Sequence, residues 1–191
     1  MGTSKSQPSP IGRSESGKAW KEVVENLSEG VTATATFASI LSAYKKEYKE
    51  QTLNVLADKG VIAIEKLVSE YRPPSGTTES SEIVADYFIR ARTILAEKQS
   101  NSFLAELALS AGTIAVTSTE DRGTSFCTSY FSKLLEYIIS RDLPRVFGSA
   151  GLPNNYSVEQ FIKSSSKDLK SVAKSGDLSK ALSALLKKVE D

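Results

Sequence analysis

The chain has 191 residues, 40% hydrophobic and 25% charged, enough apolar material to bury a core without disulfide or metal staples and too much for a wholly disordered chain. Twenty-four basic residues stand against twenty-three acidic ones, so the net charge of +1 supplies no bulk field toward nucleic acid or an anionic membrane. Histidine is absent and Cys127 is the single cysteine, which excludes Ser-His-Asp and Cys-His catalysis, His-ligated zinc, thiolate metal sites and internal disulfides.

Acid/base chemistry would fall to a tuned carboxylate, lysine or tyrosine. A lone cysteine favours a reducing compartment, and a cytoplasmic location is expected. The first apolar stretch of note begins at Val31, with no basic start and apolar core of a signal peptide before it. The stretches Val31–Tyr44 and Phe103–Ser118 fall short of the roughly 20 apolar residues that a membrane span needs, and Glu106 interrupts the second. Both are expected to be buried helix.

Residues 1–17 are Ser, Pro, Gly and Lys with Ile11 the only sizeable apolar group, too little burial to offset the entropy of ordering them, so a flexible tail is expected. Trp20, Val23, Val24 and Leu27 then recur at helical spacing, with Ser16 as cap and Gly30 as stop. A second helix is predicted over Thr32 to Glu50, burying Phe37, Ile40, Leu41 and Tyr44. A third would set Leu53, Leu56, Ile64, Leu67, Val68 and Tyr71 on one side, with Gly60 its weak point. Arg72-Pro-Pro-Ser-Gly-Thr-Thr78 reads as a linker, because two prolines remove donors and push the preceding residue out of helical geometry.

The best amphipathic pattern is Val84, Tyr87, Phe88, Ala91, Ile94 and Leu95, in a helix over about Glu79 to Gln99. Phe103 to Val116 reads as another helix and Thr117 to Gly123 as a polar loop. Phe126, Tyr130, Leu134, Leu135, Ile138 and Ile139 form a stripe that ends before Pro144, and Gly148 to Asn155 forms a second loop. Ser157 opens a short helix through Ile162. Asp177 caps a last one with Leu178, Leu182, Leu185 and Val189 on one face. Strict alternation over a strand's length is missing, so the expected fold is all-α: a single helical bundle domain behind a disordered N-terminal tail. Its divisions would be a tail at 1–17 presenting Gly2, a helical core at 18–155, and C-terminal helices at 156–191 packed on that core.

Motifs for catalysis read better as structure. Ser-x-x-Lys occurs at Ser42/Lys45, Ser164/Lys167 and Ser171/Lys174, as often as chance gives when both residues are abundant. Gly123-Thr124-Ser125 after Asp121-Arg122 reads as a helix cap rather than an anion cradle, and Gly148–Gly151 lacks the Lys-Ser/Thr of a phosphate loop. Cys127 sits beside an apolar stripe with no histidine to deprotonate it. Lys163, Lys167, Lys170 and Lys174 read as a solvated face interrupted by Asp168 and Asp177. No catalytic, metal-binding or cofactor-binding residues are assigned, and the chain is read as an interaction protein and not an enzyme.

The opening Met1-Gly2-Thr3-Ser4-Lys5-Ser6 is the exception. A small second residue favours removal of Met1, which leaves Gly2 with a free α-amine whose ordinary pKa is about 7.7 to 8.0, so an appreciable fraction is nucleophilic near neutrality. Without a Cβ, Gly2 can thread into another protein's active site. The hexapeptide matches Met-Gly-x-x-x-Ser/Thr, the N-myristoylation pattern, with Ser6 in place. A myristoyl chain alone binds membrane only marginally, and Lys5 and Arg13 are a weak second signal.

The first fourteen residues, Met-Gly-Thr-Ser-Lys-Ser-Gln-Pro-Ser-Pro-Ile-Gly-Arg-Ser, also resemble the opening of the B component of bacterial Qat-type antiphage defence operons. That resemblance implies a QueC-like partner that joins a 7-deazaguanine group to Gly2 through an amide, with Thr3, Ser4 and Ser6 read by the modifying enzyme. It implies other operon-encoded defence proteins as further partners. Three readings stay open: this acceptor, a lipid-anchored helical adaptor, and a free-standing hydrolase or transferase built on Ser, Lys or carboxylates.

Overall fold

A computed structural model describes residues 15–147 and 158–189. Among them every regular element is helical and no strand occurs, which is the all-α bundle the periodicity predicts. Gly2, Thr3, Ser4 and Ser6, with the rest of residues 1–14, lie outside the described residues, as does the predicted loop at 148–155.

Helix α1 (Glu15–Ser28) begins two residues before the predicted end of the tail. Its Ala19, Trp20, Val23 and Leu27 are all buried. They face α2 (Ala33–Tyr48), whose N-cap Thr32 accepts from the Ala35 amide. Asn26 Nδ2 donates to Ser39 Oγ at 2.7 Å across this pair. Phe37, Ile40, Leu41 and Tyr44 are buried as expected.

The predicted third helix is two helices, α3 (Thr52–Leu56) and α4 (Lys59–Glu70). The break falls at Ala57–Asp58 and not at Gly60. Asp58 Oδ1 accepts from the amides of Gly60 at 2.9 Å and Val61 at 3.0 Å, which caps α4. The Tyr130 hydroxyl donates to the Leu56 carbonyl at 2.6 Å and so satisfies the end of α3. Gly60 sits inside the first turn of α4 because a Cβ there would collide with Ser100 Oγ and stand 3.0 Å from the Ala105 Cβ. Since the segment is bent, Leu53 leaves the common face and is 39% exposed.

Helix α5 (Ser80–Glu97) buries Tyr87, Ala91 and Leu95 but leaves Phe88 on the surface. It lies outside α4 and α6 (Phe103–Val116), whose N-cap is Ser102. The central element is α7 (Arg122–Phe147), which starts four residues before the predicted stripe and runs through Pro144. Phe126, Cys127, Tyr130, Phe131, Leu134, Leu135, Ile138 and Ile139 are all buried. Consecutive pairs repeating every four residues make an apolar band wide enough to serve neighbours on several sides, here α1, α4, α6, α8 and α9.

The C-terminal part holds α8 (Val158–Ser164), α9 (Ser166–Val172), which the periodicity did not reveal, and α10 (Leu178–Lys188) behind the predicted cap Asp177. Helix α9 packs on α7 and α2, and α10 packs on α2. Leu169, Ala173, Leu178, Leu182 and Leu185 join the same core as Trp20 and Phe37. No helix among the described residues is long and apolar enough to cross a membrane.

Candidate functional site

At the start of the described residues, α1 is fastened by one large aromatic. Trp20 packs edge-on against Tyr44 with ring centroids 5.6 Å apart, and its Nε1 donates to Glu47 at 3.3 Å. The Tyr44 hydroxyl donates in turn to Asp142, which is 1% exposed. Arg141 Nε and Nη2 reach the two oxygens of Asp142 at 2.6 and 2.8 Å, and Arg141 Nη1 meets the Tyr137 hydroxyl. Burial first, then the Asp142 carboxylate, pushes the Tyr44 hydroxyl well above the usual tyrosine range. A neutral tyrosine held as a donor to a paired carboxylate is a lock on the fold, not a base.

The second polar junction joins α4, α7 and α10. Asp121 Oδ2 accepts from the Thr124 amide at 2.8 Å and Asp177 Oδ1 from the Lys180 amide at 2.9 Å, and these hydrogen bonds hold both carboxyls below the usual range. The Glu65 carboxylate accepts from the Leu178 amide, yet burial outweighs that bond and raises its pKa. Gly123 and Gly176 let the backbones touch, since a Cβ on Gly123 would stand 2.5 Å from the Gly176 carbonyl oxygen. The α7 N-terminus is therefore filled by its own Asp121 and by Gly176, which removes the anion-cradle reading of Gly123-Thr124-Ser125.

Cys127 lies beside this junction, fully buried. Burial, and then the charges of Glu65, Asp177 and Asp121, push its thiol far above the ordinary cysteine value. Such a thiol is not a nucleophile at neutral pH. Of the Ser/Lys pairs, Ser164 Oγ donates to the Phe161 carbonyl at 2.9 Å, while Ser171 and Lys174 are exposed. Lys170 pairs with Glu120 at 2.8 Å on the surface. Among the described residues no group of three or more Cys, Asp or Glu side chains is placed to hold a metal ion.

Open grooves among the described residues include one of about 400 Å³ lined by Ser132, Glu136, Ile162, Lys163 and Ser166, and two more. One, of about 300 Å³, runs between α6 and α7 beside the stacked rings of Phe103 and Tyr137, whose centroids are 4.4 Å apart. The other, of about 330 Å³, lies between the start of α2, α9 and α10 and carries Lys180 and Lys188 at its rim. Sequence reasoning did not single out those two lysines. Their signal was the polar side of the helix whose apolar side was read through Leu178, Leu182 and Leu185.

The described residues thus define a class, an all-α bundle with paired or capped buried polar groups at its helix junctions. No protein-family model, curated protein or solved structure matches the chain.

Proposed function

We propose that the chain is a non-enzymatic component of an antiphage defence system and that Gly2 is the acceptor for a 7-deazaguanine amide attached by a QueC-like partner. The observation that carries this reading is the opening Met1-Gly2-Thr3-Ser4-Lys5-Ser6 and the resemblance of the first fourteen residues. The state of the groups a reaction would need also supports it: Cys127 is buried with a raised pKa, the Ser164 hydroxyl is committed to a carbonyl, and the Tyr44 hydroxyl donates to Asp142.

Chain length suits the task. Gly2 stands thirteen positions before Glu15, and at about 3.3 to 3.6 Å per residue that length of chain spans at most about 45 Å from the start of α1. The amide forms when the Gly2 nitrogen attacks an acyl carbon that the partner has activated with a nucleoside triphosphate. The bond from that carbon to the nucleotide's phosphate oxygen breaks, the nucleoside monophosphate leaves, and the amine proton passes to solvent.

Intact mass of the protein coexpressed with such a partner tests the reading. A gain equal to the nucleobase acyl group is expected, localised to Gly2 by fragmentation. It should vanish in Gly2→Glu, where a bulky second residue keeps Met1 in place. An unmodified Gly2 in the active complex overturns the proposal. A gain equal to a myristoyl group replaces it with the lipid-anchored adaptor, which the placement of Ser6 favours.

A further inference from the structure

Charge is unevenly distributed along a chain that is nearly neutral as a whole. Residues 15–147 hold fifteen basic and eighteen acidic side chains, whereas residues 158–191 hold seven lysines against Glu159, Asp168, Asp177, Glu190 and Asp191. The basic segment forms one side of the groove between α9 and α10. The floor of that groove is apolar, made by Val172, Ala181, Ala184 and Leu185, and Lys180 and Lys188 stand at its rim. Thr34, in the first turn of α2, also lines the groove.

We infer that the groove between α9 and α10 docks an acidic segment of a partner protein that also carries small aliphatic side chains. Geometry favours a peptide over a small anion. Lys180 and Lys188 are eight residues apart on α10, an axial rise of about 12 Å, which matches carboxylates two turns apart and exceeds one phosphate or carboxylate. The i,i+3 pair of Lys180 with Asp177, at 3.2 Å, is on the surface and worth too little to withhold the lysine from a partner.

Chemistry disfavours the other polyanions. Residues 158–189 contain no arginine, and their single aromatic, Phe161, is buried, so the bases of a nucleic acid have no ring or guanidinium on which to stack. A lipid surface requires an amphipathic helix with a free apolar face, and α10 spends Leu178, Leu182 and Leu185 on the core. The inference does not rest on the acceptor reading of Gly2, and its test does not involve residues 1–14.

Fluorescence anisotropy of a labelled Glu/Leu peptide about three helical turns long provides the test. Saturable binding to the full chain is expected, weakened about tenfold or more by Lys180→Glu with Lys188→Glu and changed less than about twofold by Lys18→Glu with Lys21→Glu, which alters total charge equally on α1. Ala184→Trp, at an exposed floor position, should weaken binding by filling the groove while circular dichroism stays unchanged. The inference is overturned by absent binding, by equal loss in the two charge-reversed pairs, by polyglutamate binding as tightly as the Glu/Leu peptide, or by tighter binding of oligothymidylate or phosphatidylglycerol vesicles.

Discussion

At Thr36 a hydroxyl is fully buried in α2 with no hydrogen-bond partner among the described residues, and Thr34 Oγ1 is in the same state nearby. A buried hydroxyl without a partner keeps the full cost of leaving water, so Thr36→Val, which preserves shape and removes that oxygen, should stabilise the protein by about 1 kcal/mol in urea denaturation. A loss of stability would mean that the hydroxyl has a partner after all. Tyr44 is the opposite case. Tyr44→Phe leaves Asp142 buried with Arg141 but short of one donor, and a cost of about 1–3 kcal/mol is expected in the same assay. An unchanged midpoint would show that the Arg141 contacts alone satisfy the carboxylate. Neither residue announced its role in the sequence. Tyr44 was legible as a core side chain by its spacing, but its partner lies 98 positions away, a pairing that periodicity does not encode.

Helix ends carry the pH dependence. Asp121 and Asp177 have depressed pKa values in the folded chain, so their capping bonds stabilise fully above the unfolded aspartate value of about 3.9 and are lost as pH falls through the folded values. Glu65 acts with the opposite sign. Its raised pKa means that the folded state takes up a proton before the unfolded chain does, so the cost of burying its charge is relieved as pH falls through the raised value. Stability should therefore rise slightly on mild acidification and then fall below about pH 4. Glu65→Gln keeps an acceptor for the Leu178 amide and should erase the rise while leaving the acid fall, as read from urea midpoints between about pH 3 and pH 7. Persistence of the rise in that variant would assign it elsewhere. An apolar stripe made α2 legible in the sequence, though Thr32, the first residue of the predicted helix, is its cap, and α10 was legible from its stripe together with its cap Asp177. The break between α3 and α4 lies at Ala57–Asp58 rather than at the weak point Gly60, since the Asp58 cap and the Tyr130 hydroxyl reaching Leu56 from α7 fix it there, and α9 was hidden because only Leu169 of its seven residues is buried.

Across the whole molecule the buried residues of α1, α2, α7, α9 and α10 form one core that reaches from Trp20 to Leu185. The last turns of that core carry lysines, whereas the proposed acceptor stands thirteen residues before its first helix. If Gly2 serves chemistry in a partner's cleft, the residues that carry it must contribute reach and not packing. Deleting residues 2–14 should then shift Tm by less than about 2 °C, the shift that roughly 0.5–1 kcal/mol would produce in a domain of this size. The same deletion should abolish the mass gain on coexpression. Both readouts are needed, because a lost modification alone also follows from an unfolded chain. A fall in Tm well beyond that margin would show the opening segment to be packed against the bundle, and an amine engaged there is not free to enter another enzyme.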